Sequence, residues 1–175
     1  MATSTTLIQS ITVGSGGQAS ISFSSIPSTY TDLVMLVSGR SAAAFTRRTI
    51  NLTINGSSTA TDYADRYLLG SGSAASSGTD ASGSQGYLTV WDAPAASATA
   101  NTFSNCSIYI PNYASTSTYK SVSVDGVGED NATAAYSGLT AGIYQQNTAI
   151  SSIAVTTQGN FVQYSTAYLY GVKNA

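Results

Sequence analysis

The chain has 175 residues and a mass of 17.9 kDa, which predicts one domain. It contains no histidine, one cysteine and 8% charged residues, against about 25% in an ordinary soluble domain, so the usual catalytic and metal-binding side chains are scarce. This composition argues against an enzyme and against a cofactor, and a net charge of -2 argues against nucleic acid and anionic membranes as partners.

The first half of the chain shows the alternation of apolar and polar residues that is typical of β-strands. Residues 11–23 alternate on either side of a glycine-rich turn at 14–17, which predicts a β-hairpin. Residues 33–37 are apolar throughout, and this predicts a strand covered on both faces at the centre of a sandwich. A further strand at 50–54 ends at Asn55, which precedes a glycine and so forms a strong turn signal.

The second half continues the alternation after an interruption. Residues 63–69 suit a strand better than a single helical turn. Residues 70–86 are rich in glycine and serine and predict a flexible loop or, alternatively, an arm that orders on a neighbour. Cys106 lies in an alternating segment and is predicted to pack as a small buried hydrophobe. The remaining predicted strands are 87–91, 103–110, 119–124, 139–143, 150–156 and 161–172.

These segments predict an all-β chain: a single antiparallel β-sandwich, jelly-roll-like, of about nine or ten strands. Residues 10–175 form the predicted domain, and the polar residues 1–9 form an N-terminal arm that reaches a neighbouring subunit. No apolar run of about 18 residues predicts a membrane span. The first residues also lack the basic and apolar regions of a secretory signal, so we do not expect classical secretion.

The densest cluster of polar side chains is the glycine-containing segment 125–131. Asp125, Glu129, Asp130 and Asn131 offer the oxygen ligands that Ca²⁺ prefers, although a plain turn explains the same residues. The spacing does not fit an EF-hand, so we favour the turn and expect no bound metal. A glycosidase that pairs Glu129 with a distant aspartate is the remaining enzymatic alternative, because two carboxylates perform that reaction.

Tyrosine occurs 12 times and supplies the candidate contact residues. Those on or near the predicted strand ends and loops are Tyr109, Tyr113, Tyr119, Tyr136 and Tyr144. We treat them as interface candidates, because tyrosine is enriched at protein interfaces and its ring also stacks on sugars. The alternative is that several fill the core with the hydroxyl at its rim, and we expect about half in each role.

Several segments follow one another in a distinctive order along the chain. They are residues 11–17 (ITVGSGG), 21–27 (ISFSSIP), 30–33 (YTDL), 100–103 (ANTF), 108–113 (IYIPNY), 120–121 (KS) and the ending from 149 to 173. In this order they resemble small virion structural proteins of tailed bacteriophages, especially phages of cyanobacteria and other aquatic bacteria. The similarity runs over nearly the whole chain and is weakest over residues 70–86.

The resemblance implies a virion component, made in the host cytoplasm, with no catalytic residues to assign. We expect a homo-oligomer, a trimer, because a surface with few charges stays soluble when much of it is buried against other subunits. The first hypothesis is a capsid decoration (cement) protein that binds the major capsid protein and stabilises the shell. The alternative is a tail-fibre or appendage module that binds host-surface carbohydrate through exposed tyrosines and loops.

Overall fold

The computed structural model describes residues 4–72, 74–80, 83, 85–131 and 135–173. Within these residues the chain forms twelve strands and one 3₁₀ turn, Ala60–Asp62. The strands are β1 (Ser4–Thr12), β2 (Gln18–Phe23), β3 (Asp32–Ser38), β4 (Arg47–Ile54), β5 (Tyr63–Gly70), β6 (Ala75–Gly78), β7 (Leu88–Pro94), β8 (Asn105–Ile110), β9 (Lys120–Glu129), β10 (Ala135–Tyr144), β11 (Ile153–Phe161) and β12 (Thr166–Lys173). The predicted all-β sandwich is confirmed, with twelve strands instead of nine or ten.

The strands form two antiparallel sheets. The larger sheet has the order β1-β12-β3-β8-β9-β10-β5-β6, and the smaller sheet has the order β2-β11-β4-β7. Eight strands pair in nested couples: β1 with β12, β2 with β11, β3 with β8, and β4 with β7. Because the nested couples alternate between the sheets, this arrangement is a jelly roll. The other four strands, β9, β10, β5 and β6, extend its larger sheet.

The core lies between the two sheets and follows the alternation of side chains along each strand. In β4, Ile50, Leu52 and Ile54 point inward, and in β9 every second residue from Lys120 to Gly128 is buried. Cys106 is buried as predicted. The largest fully buried apolar side chains are Phe23, Phe161, Tyr63, Tyr113, Ile21, Leu33, Met35, Ile50, Leu52, Ile54 and Leu88.

The two sheets differ in width. At about 4.8 Å between neighbouring strands, eight strands span about 34 Å and four strands span about 14 Å. The smaller sheet therefore covers only part of the inner side of the larger one. Its edge strand β7 packs against β9 and also contacts β10 and β5, while β6 extends beyond it.

Trp91 on β7 attaches the four additional strands to the jelly roll. Its indole lies against Gly126 of β9 and Gly138 of β10, which are directly opposed across the two strands. A Cβ added at Gly126 would lie 2.2 Å from Trp91 Cγ, and one at Gly138 would lie 2.5 Å from a carbon of the same ring. The glycines thus provide the flat surface on which the indole is buried.

Several of the few charged side chains lie inside the protein and hold loops in place. The Arg40 guanidinium donates to the carbonyl oxygens of Thr99 at 2.7 Å and Ala98 at 3.0 Å. The fully buried Lys120 donates from Nζ to Thr118 O at 2.6 Å. Burial lowers the pKa of both side chains. These cations are therefore used within the fold and do not form a basic surface.

The predicted hairpin at the start of the chain is wrong. β1 pairs with β12 in the larger sheet, whereas β2 pairs with β11 in the smaller sheet. The turn at 14–17 closes with a hydrogen bond from Gly17 N to Gly14 O at 3.1 Å and carries the chain from one sheet to the other. A glycine-rich turn between two alternating segments fits a sheet crossing as well as it fits a hairpin.

The two segments that we expected to lie outside the sheets contain strands. Residues 4–9 of the predicted arm belong to β1, because their backbone pairs with β12, and residues 1–3 lie outside the described part of the chain. The predicted loop at 70–86 includes β6, which pairs with β5. The sequence did not predict this short strand, because its small residues show no alternation of apolar and polar side chains.

The gap between the predicted strands at 150–156 and 161–172 is not a turn, because β11 continues through it to Phe161. The pairing of β11 with β2 is irregular between Thr156 and Phe161, and Gly159 adopts a φ of 76° within this bulge. The turn into β12 lies at 162–165, where Ser165 N donates to Val162 O at 3.1 Å. A left-handed glycine therefore marks a bulge here and not a strand end.

We predict that Gly126→Ala destabilises the fold, because the new methyl group clashes with the buried indole of Trp91. Overpacking of this kind costs about 1–3 kcal/mol of the free energy of unfolding, and we expect a value near the top of that range. Urea denaturation measures the change. Gly14→Ala is the matched control, since a Cβ at Gly14 meets nothing within 4 Å. Equal stability of the two variants would contradict the packing described for Trp91.

The stability of the fold should also fall in alkaline solution. Burial raises the pKa of the Cys106 thiol from 9.0 to about 12 and that of the Tyr63 hydroxyl from 10.0 to about 12. The unfolded chain loses these protons first, so this stability is complete below pH 9 and is lost as pH rises towards 12. One such group changes the free energy of unfolding by at most about 1.4 kcal/mol per pH unit.

Cys106→Ala isolates the contribution of the thiol to this pH dependence. The free energy of unfolding of the wild-type chain should begin to fall near pH 9, and that of the variant near pH 10, where the tyrosines begin to contribute. Urea denaturation at a series of pH values from 8 to 11 measures both curves. Curves of the same shape would show that the thiol does not retain its proton in the folded protein.

Candidate functional site

One side of the larger sheet carries most of the exposed apolar surface. Ten large apolar side chains are exposed in the described part of the chain, and seven of them share the side of this sheet that is turned away from the core. We call this side the outer face. The seven are Leu7, Leu36, Leu68, Tyr109, Val127, Leu139 and Tyr168. Soluble monomers rarely expose such a collection on one surface, so it indicates an interaction site.

Cross-strand pairing groups these side chains, because directly opposed residues of antiparallel strands point to the same side. Leu68 lies opposite Leu139, and Tyr168 lies opposite Leu36. We define the leucine patch as Leu68, Val127 and Leu139, and the tyrosine patch as Leu36, Tyr109 and Tyr168. Ser107, Ser123 and Asp125 lie between the two patches on the central strands β8 and β9.

Residues 33–37 form the predicted central strand, but the prediction that both of its sides are covered is wrong. β3 is central in its sheet, and Leu33, Met35 and Val37 are buried as expected. Leu36, however, points to the outer face and is exposed, with no second layer of the described chain above it. An apolar strand indicates that both sides are suited to burial, but it does not say which molecule covers them.

The outer face is large enough for a stable interface. Eight strands and about six residues along each strand give a surface on the order of 700 Å², close to the roughly 800 Å² that one partner buries in a standard complex. Its exposed charged residues, within the described ranges, are Arg66, Asp125 and Glu129. Contacts made here therefore rely mainly on apolar and neutral polar groups.

The predicted interface tyrosines divide into three exposure classes. Tyr109 and Tyr119 are exposed, and Tyr136 is half-buried against the core. Tyr113 and Tyr144 are buried in the core, so the prediction that they contact a partner is wrong. The Tyr113 hydroxyl donates to Pro27 O, and the Tyr144 ring lies 5.4 Å from that of Tyr63. Their predicted positions near strand ends and loops did not show that the rings of Tyr113 and Tyr144 point into the core.

Tyr109 is the candidate whose side chain is most firmly positioned. Its hydroxyl donates to Asp32 Oδ2 at 2.8 Å, and Asn112 N donates to Asp32 Oδ1 at 3.0 Å. The hydrogen bond to Asp32 raises the pKa of the Tyr109 hydroxyl. A fixed aromatic ring loses little conformational freedom on binding, which favours Tyr109 as a contact residue of the tyrosine patch.

The candidate calcium ligands do not converge. The segment that we predicted as a turn belongs to β9 as far as Glu129, so Asp125 and Glu129 point to the outer face, whereas Asp130 is buried. Glu129 Oε1 accepts a hydrogen bond from the backbone of Asn131 at 2.5 Å. Among the described residues no group of three acidic, cysteine or histidine side chains is placed to hold a metal ion. Strand alternation separates ligands that are close in sequence.

A polar groove lies along β7, where the larger sheet extends beyond the smaller one. It consists of two adjoining cavities of about 320 and 350 Å³, and we call it the overhang groove. Both cavities are lined by Arg48, Thr49, Asp80 and Thr89. One end reaches Tyr67, Trp91 and Thr140, and the other reaches Asn51, Gln85 and Tyr87.

The two arginines of the overhang groove are held by neighbouring side chains. Arg47 forms an ion pair with Asp92, and its guanidinium carbon lies 3.9 Å from the centre of the Tyr136 ring. The guanidinium carbon of Arg48 lies 3.1 Å from the centre of the Phe45 ring. Stacking on an aromatic ring fixes the orientation of a guanidinium group and leaves its edge free to donate hydrogen bonds.

Asp80 is the carboxylate common to both cavities of the groove. Its backbone nitrogen donates to Asp65 Oδ1 at 2.8 Å, which fixes the residue at the start of the segment that follows β6. Burial, followed by the negative charges of Asp65 and Asp92, raises the pKa of the Asp80 carboxyl. With two arginines and two aspartates in its lining, the groove has no formal net charge.

Sequence reasoning missed the overhang groove because its residues come from β4, β5, β7, β10 and β11 and from the segment after β6. No spacing along the chain marks them as one site. The single local signal is the adjacency of Arg47 and Arg48, which is typical of a solvated strand end. The extra width of the larger sheet forms one wall of the first cavity, whereas strands of the smaller sheet and residues between β6 and β7 line the second.

Comparison with known proteins adds no relative: no protein-family model, no curated protein and no solved structure matches the chain. The described residues also include no helix long and apolar enough to cross a membrane. The functional interpretation therefore depends on the outer face, on the overhang groove and on the sequence resemblance.

We predict that calcium does not stabilise the protein, because Asp125 is exposed on the outer face whereas Asp130 is buried. The Tm measured by calorimetry should be the same in millimolar calcium and in excess chelator. The Asp125→Asn variant should likewise have the same Tm in calcium and in chelator. A rise of Tm with calcium that disappears in Asp125→Asn would contradict the separation of these ligands.

Proposed function

We propose that this chain is a bacteriophage capsid decoration protein, a non-enzymatic virion component that binds the head surface and stabilises the shell. The concentration of exposed apolar side chains on the outer face carries the proposal. In the proposed complex the outer face lies against the major capsid protein, and the leucine and tyrosine patches supply the buried contacts.

The sequence resemblance to small virion structural proteins of tailed phages supports the same function. Its segments include 30–33, which contains the start of β3, and 108–113, which contains the end of β8. Both strands lie near the centre of the larger sheet. These strands also place Leu36 and Tyr109 on the outer face. The segments that carry the resemblance thus help to build the proposed contact surface.

A neutral contact surface suits a component of a particle that meets changing conditions outside the cell. Exposed ion pairs weaken as salt rises, whereas apolar and neutral hydrogen-bonded contacts depend little on ionic strength. Several copies around one capsid position would add their interface areas, and we propose a homotrimer as the bound form. Burial of the outer face in this assembly also removes the solubility hazard of its exposed leucines.

A tail-fibre or appendage module that binds host-surface carbohydrate is the second candidate. The exposed rings of Tyr119 and Tyr164, which lie outside the outer face, favour it, because tyrosine rings stack on sugars. A cryo-electron map of the particle in which this chain is traced would distinguish the two candidates. The decoration protein lies on the head in many copies, and the appendage module lies on the tail.

We predict that Leu139→Asp weakens binding of the purified protein to heads that lack it. The new carboxylate lies beside Leu68 in the leucine patch and would have to lose its hydration in the complex, so we expect affinity to fall about tenfold or more. Sedimentation of protein with heads over a range of concentrations measures the affinity. The wild-type protein should saturate a fixed number of sites.

Ser22→Asp is the matched control for Leu139→Asp. It places the same carboxylate on an exposed position of β2, in the smaller sheet, and should leave head binding unchanged. Particles assembled without this protein should also lose infectivity faster on heating and osmotic shock. Equal resistance of complete and deficient particles would refute the cement function.

A further inference from the structure

The overhang groove offers both hydrogen-bond donors and an acceptor to a bound molecule. Arg47 and Arg48 supply the donors, and Asp80 supplies an acceptor on an exposed bend. Three further polar atoms of lining residues, Arg48 Nε, Trp91 Nε1 and Asn51 Oδ1, have no hydrogen-bond partner within the described part of the chain, but they are closed to solvent and lie beneath the groove surface. A bound molecule would therefore contact the guanidinium groups and the carboxylate.

We propose that the overhang groove binds a neutral saccharide. A sugar hydroxyl donates one hydrogen bond and accepts others, so a single class of ligand satisfies both the donors and the acceptor. The balance of charge leads to the same class, because Arg47 and Arg48 offset Asp80 and Asp92 and leave no excess that would select an anion or a cation.

The size and lining of the groove agree with this ligand. Its cavities, about 320 and 350 Å³, adjoin each other and fall at the lower end of the range of about 300–1,000 Å³ for small-molecule sites. Tyr67 lines one cavity and Tyr87 lines the other, so each half includes a residue type that contacts sugars in binding sites. Two joined cavities fit a short oligosaccharide better than a single sugar unit.

The polar groups of the groove are already held in position. The Phe45 ring fixes Arg48, and the hydrogen bond to Asp65 fixes the backbone of Asp80. Groups that are fixed before binding lose little conformational entropy when the ligand arrives. This preorganisation distinguishes the groove from a patch of mobile surface side chains.

The groove and the outer face lie on opposite sides of the larger sheet. Tyr67 and Thr140 line the groove, whereas their neighbours Leu68 and Leu139 belong to the leucine patch. A protein attached through its outer face would thus keep the groove open to solvent. The inference goes beyond the proposed function and does not depend on it, because shell stabilisation requires no sugar.

The experiment begins with the purified full-length chain on an array of neutral and acidic oligosaccharides. The neutral oligosaccharide that binds best is then titrated by calorimetry against three variants. Asp80→Asn removes a charged acceptor at an exposed bend, and Arg48→Gln removes donors from the groove. Each should weaken the affinity about tenfold, as expected for the loss of a charge-assisted hydrogen bond.

Asp125→Asn is the matched control, because it makes the same change as Asp80→Asn on the outer face. Its affinity for the oligosaccharide should equal that of the wild-type chain. Urea denaturation of every variant separates a loss of binding from a loss of folding. The proposal is overturned if only acidic sugars bind, if no sugar binds at millimolar concentration, or if Asp80→Asn binds as tightly as Asp125→Asn.

Binding to heads separates this inference from the proposed function. Asp80→Asn should bind heads as the wild-type protein does, whereas Leu139→Asp should still bind the oligosaccharide. Failure of sugar binding would leave the cement function intact, and failure of head binding would leave the groove intact.

Discussion

A four-stranded sheet covers less than half the width of an eight-stranded sheet, and one wall of the overhang groove arises from that difference. On the inner side, the larger sheet extends past β7, and side chains of β5 and β10 form one wall of the overhang groove. On the other side, no part of the described chain forms a third layer, so the outer face remains uncovered.

The overhang persists because β9 and β10 are firmly attached to the jelly roll. Trp91 provides this attachment, since its indole spans two strands of the larger sheet from one strand of the smaller. Gly126 and Gly138 form an opposed pair whose missing side chains make room for the ring. Glycine weakens an isolated strand, but here the buried indole replaces the side chains that the strands lack.

Alternation predicted β4 and the first half of β9, because burial imposes a period of two on the sequence. It did not predict which strands pair: β1 pairs with β12, although the two lie at opposite ends of the chain. Nor could it distinguish Leu36, which is exposed on the outer face, from Met35, which is buried in the core. The overhang groove has no sequence signature, because six separate segments contribute to it.

The position of β6 at the edge of the larger sheet affects where the chain tolerates inserted residues. β6 ends the larger sheet, pairs with β5 alone and consists of four small residues, three of them exposed. The turn before it closes through a hydrogen bond from Ser71 N to Ala74 O at 2.9 Å, remote from the core. A foreign peptide inserted in this turn would leave the sandwich intact. If the protein is repeated over a particle, the turn offers a regular lattice of display sites.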